Sequence, residues 1–323
     1  MVRILSEDAV LDVLDLGALL DAVETGFVAQ YRGAVERPTR PRYPIGRGLE
    51  GAEPLGTGLV MPAYVHGAPI AVTKLVGVFE GNAHRDLPTI QAQIVAVDAR
   101  TGEPEAILDG TVVTNARTGC IGGVAARRLA EEPVTLGVLG AGTQARWQTR
   151  AIGAAMVVDE VRVYSPSDSR VACATELGAE GFTARAVDSP AAAVEGASVV
   201  VTATTSHEPV FPADALEPGA LVVGIGAYTP EMQELEAAVL DEAEVVFADV
   251  PEEVADIGDL RASARSKADL IPLGALFAGD VEIPPPGATV VVESVGSAVL
   301  DAVATEHLLE VATEDDIGDR IAL

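Results

Sequence analysis

The stretch VTLGVLGAGTQARWQTRAIGAAM, residues 134–156, restricts this chain more than any other. A β-branched run ends in Gly140, Gly142 and Ala145, a GxGxxA triplet, and a helical pattern begins at once. Strand, tight turn and helix in that order form the phosphate-binding unit of a doubly wound sheet, because each small residue has a task. Gly140 permits the turn, Gly142 lets the backbone approach a pyrophosphate, and Ala145 lets the helix sit close on the sheet. The pyrophosphate then meets backbone N–H groups at the positive end of the helix.

The same alternation continues. VRVYS, SVVVTATTS, LVVGIGAY, EVVFADV and TVVVESVG are short β-branched runs, separated by Ala-rich segments such as 144–156 and 170–177 with helical periodicity. The expectation is an α/β fold, a Rossmann doubly wound parallel sheet over 114–295. Residues 1–113 read differently. A first helix and a Pro/Arg/Gly-rich loop, ERPTRPRYPIGRGLEG, lead into GLVMPAYV, PIAVTKLVGVF, TIQAQIVAVDA and EAILDG, strands of a mixed or antiparallel α+β layer. The segment 296–323 is helical again and returns to the first domain, which makes that domain discontinuous. IPPPG, at 283–287, reads as a rigid loop.

Composition excludes several classes. The chain has 323 residues, 21 Lys and Arg against 49 Asp and Glu, and a formal net charge of −28. No basic stripe exists to meet phosphates, which argues against nucleic acid. Only Lys74 and Lys267 are lysine, and the dispersed acidic coat reads as adaptation to high salt. Cys120 and Cys173 are too few for a disulfide framework, and His66, His84, His207 and His307 lie far apart, so no metal site is expected. With no signal-like N-terminus and no long apolar run, a cytoplasmic protein without a membrane span is expected.

Several basic residues stand where bases are unfavourable. Lys74 lies within AVTKLVGVF, an apolar run where a lysine costs stability unless paired or facing a wet cleft. Arg117, in TVVTNARTG, falls in the first turn of a helix expected to start near Thr114 or Asn115, where the macrodipole disfavours a cation. Arg40 or Arg42, in the Pro-rich loop, is able to join them on a substrate carboxylate. The second strand of the dinucleotide unit ends in Ser165 rather than an acid, with Arg170 nearby, which leans toward NADP(H) over NAD(H), although Asp168 keeps NAD open. Thr143 and Gln144 at the helix start, and Thr202 and Thr204 after a later strand, complete the expected cofactor-binding set.

LVMPAY, TKLVGVFEGN, LPTIQAQIVAVDARTGEPEAILDG, VTNARTG, GAGTQA, GAYTPEMQEL and ESVGSAVLDA, in that order, resemble the ornithine cyclodeaminase and μ-crystallin family over nearly the whole chain. The resemblance implies a homodimer whose first domain, completed by the C-terminal helix, binds substrate and dimerises, and a small imino or amino acid as substrate. It also implies roles: Lys74 as the active-site lysine, Arg117 as the carboxylate-binding arginine, Arg40 as the loop arginine. The family's cyclodeaminases carry a glutamate just before MP and an aspartate at the position of Tyr228. Here Leu59 and Tyr228 argue against cyclodeamination, and Tyr228 is either a donor near an imine or a residue packed over the cofactor. The expected activity is reduction of a cyclic imino acid or ketimine such as pyrroline-2-carboxylate. Alanine dehydrogenation and ligand binding without turnover are the alternatives.

Overall fold

A computed structural model describes residues 1–85 and 87–322, and its contacts separate the chain into two units, 1–117 with 298–323, and 118–297. The cut falls in the middle of one helix.

The first unit starts with β1 (Val2–Leu5), α1 (Glu7–Asp12) and α2 (Leu16–Tyr31). Two short strands, β2 (Val35–Glu36) and β3 (Arg42–Ile45), precede the long β4 (Gly56–Val65), β5 (Ile70–Val78), β6 (Ile90–Asp98) and β7 (Pro104–Asp109). A final short strand, Asp319–Ile321, pairs with β1. The sheet is mixed: β1 and β7 are parallel, while β4, β5, β6 and β7 pair antiparallel in turn. The Pro-rich loop therefore contains a strand that its prolines concealed, since β3 pairs Arg42 with Leu59 at the sheet edge, where a proline's missing N–H is tolerated.

The C-terminal helix, Ala298–Glu314, packs on α2, β4 and β5. Gly26 of α2 makes this approach close: a Cβ there would sit 2.9 Å from Val303.

β7 runs directly into α3 (Gly110–Leu129), which starts earlier than Thr114 or Asn115. Asp109, not Thr114, accepts the free N–H groups of Thr111 and Val112, both at 2.9 Å. Gly110 allows the helix to leave against β6, because a Cβ there would meet the Ala92 backbone at 2.9 Å.

The second unit is the expected doubly wound sheet. Its elements are β8 (Val134–Leu139), α4 (Thr143–Ala155), β9 (Val158–Tyr164), α5 (Ser169–Ala179), β10 (Ala184–Ala186), β11 (Val199–Thr202), β12 (Leu221–Gly224), β13 (Val245–Ala248), β14 (Leu270–Pro272) and β15 (Val290–Glu293). The strand order is β10-β9-β8-β11-β12-β15-β13-β14, all parallel. VVVT, LVVG and VVVE are buried at every position, as a sheet covered on both faces requires. Each buried Val or Leu among them contributes roughly 1.5–3 kcal/mol by leaving water. The direction of winding reverses between β8 and β11, and at that point ligands bind beyond the strand ends.

Candidate active site

Strand alternation puts Lys74 on the covered face of β5, between Met61 of β4 and Ile94 of β6, and leaves it 2 % exposed. Its Nζ lies 2.6 Å from Asp301 Oδ2 on the C-terminal helix and donates to Thr114 Oγ1 at 3.2 Å. Arg117 Nε donates to the other oxygen, Asp301 Oδ1, at 2.8 Å. One carboxylate thus joins two cations, all three groups buried.

Burial pulls the Lys74 ammonium down and Asp301 opposes the pull; with the repulsion of Arg117 and Arg40, it settles at about 8. Burial pushes the Asp301 carboxyl up, but Arg117 and then Lys74 outweigh this and hold it below its ordinary value. Asp301 is thus ionised, and the set carries one surplus positive charge. Lys74 also feels the charge of Arg40, whereas Arg42 is exposed on β3. Of the two loop arginines, Arg40 is the one whose charge bears on Lys74.

Arg117 lies well inside α3, so the expected conflict with the helix macrodipole is absent. Asp301 explains its place instead. The sequence pattern did not reveal Asp301, although an acid inside the apolar run AVLDAVA was a signal that could have been read.

In the second unit, Gly140 has φ +109, and a Cβ there would lie 2.5 Å from Ala203 O, so the turn needs glycine on both counts. Gly142 caps α4 without a side-chain hydrogen bond, and a Cβ on it would meet nothing within 4 Å. The first amides of α4 therefore point outward as donors, with Thr143 exposed and Gln144 half-buried beside them. Ala145 is fully buried against the sheet. These residues fit a dinucleotide pyrophosphate. Arg146, which the motif did not single out, donates from Nη1 to Ala141 O at 2.7 Å and Gly142 O at 3.1 Å while its Nε pairs with Glu176 at 2.6 Å, bracing the loop.

After β9, Ser165 is buried and shares hydrogen bonds with Ser169 at 3.0 Å and Ser167 at 3.4 Å. Arg170 folds over the same turn, donating to Ser167 O at 2.9 Å and Ser165 O at 3.2 Å. Asp168 precedes α5 but makes no side-chain cap. Thr202 is fully buried and its hydroxyl donates to Glu234 at 2.9 Å, so its side chain supports the loop from within. Thr204 is half-buried, and Tyr228 is 38 % exposed. Burial pushes the Cys120 thiol up to about 12, and no cluster able to hold a metal occurs among the described residues. No helix among them is long and apolar enough to cross a membrane.

Residues 2–316 match the profile of the ornithine cyclodeaminase/mu-crystallin family. A delta(1)-pyrroline-2-carboxylate reductase of Bacillus cereus is 31 % identical over 317 residues, covering 93 % of this chain and 94 % of that protein. The structure of the Thermococcus litoralis delta(1)-pyrroline-2-carboxylate reductase in complex with NADH and L-proline is similar, with a TM-score of 0.92 and 25 % identity over 99 % of this chain and 100 % of that one. An archaeal alanine dehydrogenase dimer with bound NAD follows at TM-score 0.90 and 26 % identity, over 100 % of this chain and 99 % of that one.

Proposed function

Because the chain belongs to the ornithine cyclodeaminase/mu-crystallin family, we propose that it reduces a cyclic imino acid of the pyrroline-2-carboxylate type to the amino acid. It is an NAD(P)-dependent oxidoreductase acting on CH–NH or CH–NH2 groups. The bound dinucleotide supplies the hydride.

The observation that carries the reading is the buried set of Lys74, Asp301 and Arg117, with Arg40 close enough to be felt. A surplus of buried cation is complementary to a substrate carboxylate. Lys74 and Arg117 hold and orient that carboxylate; Asp301 sets their spacing and keeps them from repelling each other apart. Such orientation supplies much of what a bound hydride donor requires of the protein. Leu59, buried on β4, offers no carboxylate for a distal ammonium, which weighs against cyclodeamination.

The first unit is thereby read as the substrate-binding unit. The uncovered face of its sheet carries Val60, Pro62, Leu75 and Val95, half-buried or exposed, and this apolar strip supports a homodimer. Ser165 in place of an acid, with Arg170 fixed over the turn, supports NADP(H). NADH giving the higher kcat/KM reverses that assignment. The dispersed charge of −28 supports a high-salt setting.

The test is consumption of NADPH and NADH in molar salt with pyrroline-2-carboxylate, piperideine-2-carboxylate, or pyruvate plus ammonium. Turnover of the cyclic imines supports the reductase. Turnover with pyruvate and ammonium alone makes the protein an alanine dehydrogenase, a reading favoured by the second structural likeness. Bound dinucleotide with no turnover of any of the three argues against both.

A further inference from the structure

Four carboxyls of the second unit are buried and take no part in the function proposed above: Glu234, Asp249, Asp259 and Glu293. Two of them mark strand ends directly, Glu293 as the last residue of β15 and Asp249 as the residue after β13. Buried carboxylates are costly unless hydrogen-bonded, and the partners here are mostly the backbone of the loops beyond the strands.

Glu234 is the most connected to the cofactor edge. Its Oε1 accepts from Thr204 N at 2.6 Å, in the loop after β11. Its Oε2 accepts from Gly226 N at 2.8 Å, in the loop after β12, and from Thr202 Oγ1 at 2.9 Å. The residue is held in turn by Asp259 Oδ1, which accepts the backbone N–H groups of Glu234 and Leu235, both at 2.7 Å. Two further bonds, Gln233 N to Ser206 O at 3.0 Å and Val210 N to Glu234 O at 2.8 Å, pair the same two segments. Gly226 is required for the approach, since a Cβ there would lie 2.2 Å from Thr204 O and 2.5 Å from Glu234 Oε1.

We propose that Glu234 is a positioning residue for the dinucleotide: its carboxylate ties the loop after β11, with Thr204, to the loop after β12, which leads to Tyr228, and fixes both for cofactor binding. The proposal rests on reading this strand edge as the dinucleotide site. Three donors converge on one carboxylate, and the ionised form accepts them best; protonation turns one oxygen into a hydroxyl, a poorer acceptor whose own proton must also be placed among them. Burial raises the Glu234 carboxyl to about 7, with the hydrogen bonds from Thr204, Thr202 and Gly226 opposing the rise. The charged groups facing it are carboxyls: Glu293 from β15, which repels it, and Asp259 from the turn of helix at 258–262, with Asp249 beyond Glu293. The clamp is therefore engaged above about pH 7 and loosens below it.

The experiment is a fluorescence titration of the full-length protein with NADH between pH 6 and 9. NADH is chosen because the 2′-phosphate of NADPH itself titrates near a pKa of about 6. The wild type should lose affinity several-fold as pH falls through about 7. Glu234→Gln should bind NADH on the order of tenfold more weakly at pH 8 and show no inflection, an outcome that a loss of fold stability alone does not produce. A variant with wild-type affinity and an unchanged profile overturns the proposal. Should Glu234→Gln fail to fold, Thr202→Val serves instead. Losing one donor raises the Glu234 pKa, so the inflection must move to higher pH, and a fixed or absent inflection overturns the proposal. A wild type that binds neither NADH nor NADPH at any pH removes the cofactor reading itself, which the other outcomes leave standing.

Discussion

Taking the charge off Asp301 leaves Lys74 and Arg117 as two buried cations with no carboxylate between them. Breaking a buried pair of this kind costs about 3–5 kcal/mol, so Asp301→Asn should lower the denaturant midpoint and reduce kcat/KM by about 100-fold or more. In the wild type, the ammonium proposed to bind the substrate carboxylate is lost as pH rises through about 8, the value to which burial brings Lys74. The kcat/KM for imine reduction should accordingly fall above pH 8. In Asp301→Asn the falling limb should move to lower pH, because Asp301 is what raises the Lys74 pKa. A limb that stays at 8 in the variant would separate it from Lys74. Lys74→Ala should abolish turnover while leaving dinucleotide binding nearly intact; loss of both together contradicts the assignment. Lys74 was legible in the sequence because a cation in an apolar run stands out, the more so in a chain with two lysines; Arg117 was singled out by a first-turn placement that the earlier start of α3 removes, and by the family resemblance. Asp301 was not, being one of 49 acids and 184 positions from Arg117. The buried carboxyls 234, 249, 259 and 293 were hidden for the same reason: an acidic surface camouflages the few acids that are inside.

The α4 start separates two tasks that glycine performs. Gly140 combines a left-handed φ of +109 with a 2.5 Å approach to Ala203 O, so Gly140→Ala should destabilise the fold and lose dinucleotide together. Gly142 has φ −86 and no neighbour within 4 Å, so alanine fits without strain. Gly142→Ala should keep its melting temperature yet bind dinucleotide on the order of tenfold more weakly, since the added methyl keeps the pyrophosphate from the backbone. Equal affinity in the two proteins would mean that the anion lies elsewhere. The glycines and six of the strands from β8 onward were legible because a parallel sheet, covered on both faces, turns its central strands into continuous β-branched runs; the three-residue β10 and β14 at its edges were not. β1 and β3 escaped notice. Each is four residues long, and β3 contains a proline tolerated only because it lies at an edge. The start of α3 was misplaced because Asp109 caps it from within what reads as a strand end.

At the scale of the molecule, the acidic coat and the buried carboxyls pull stability in the same direction. A net charge of −28 repels itself, and salt screens that repulsion, so the melting temperature should rise between 0.1 and about 2 M NaCl. A flat or falling curve would contradict the high-salt reading. The pH dependence has a definite sign. Burial raises Glu234 to about 7 and Asp259 to about 6, and raises Glu293 well above its ordinary value, with Asp259, Glu234 and Asp249 adding repulsion. The folded state thus holds more protons than the unfolded chain between about pH 4 and 7, and stability falls as pH rises through that window. For Glu234 alone the loss is about 3 kcal/mol. Asp301, Glu160 and Glu176, held low by arginine partners, act oppositely, and their contribution disappears only as pH falls below the ordinary carboxylate range. Greatest stability is therefore expected on the acid side of neutrality. The proposed roles need Glu234 ionised and Lys74 protonated, a window of about pH 7 to 8. Function is thus placed where the fold is already losing stability, and Glu293 contributes to that loss: its Oε1 meets no donor among the described residues. Glu293→Gln keeps the shape and removes the charge. It should raise the melting temperature, and the gain should grow as pH rises, because the substitution removes a charge that burial and three neighbouring carboxyls oppose. A gain independent of pH would show that Glu293 stays protonated throughout and that the repulsion lies between the other three.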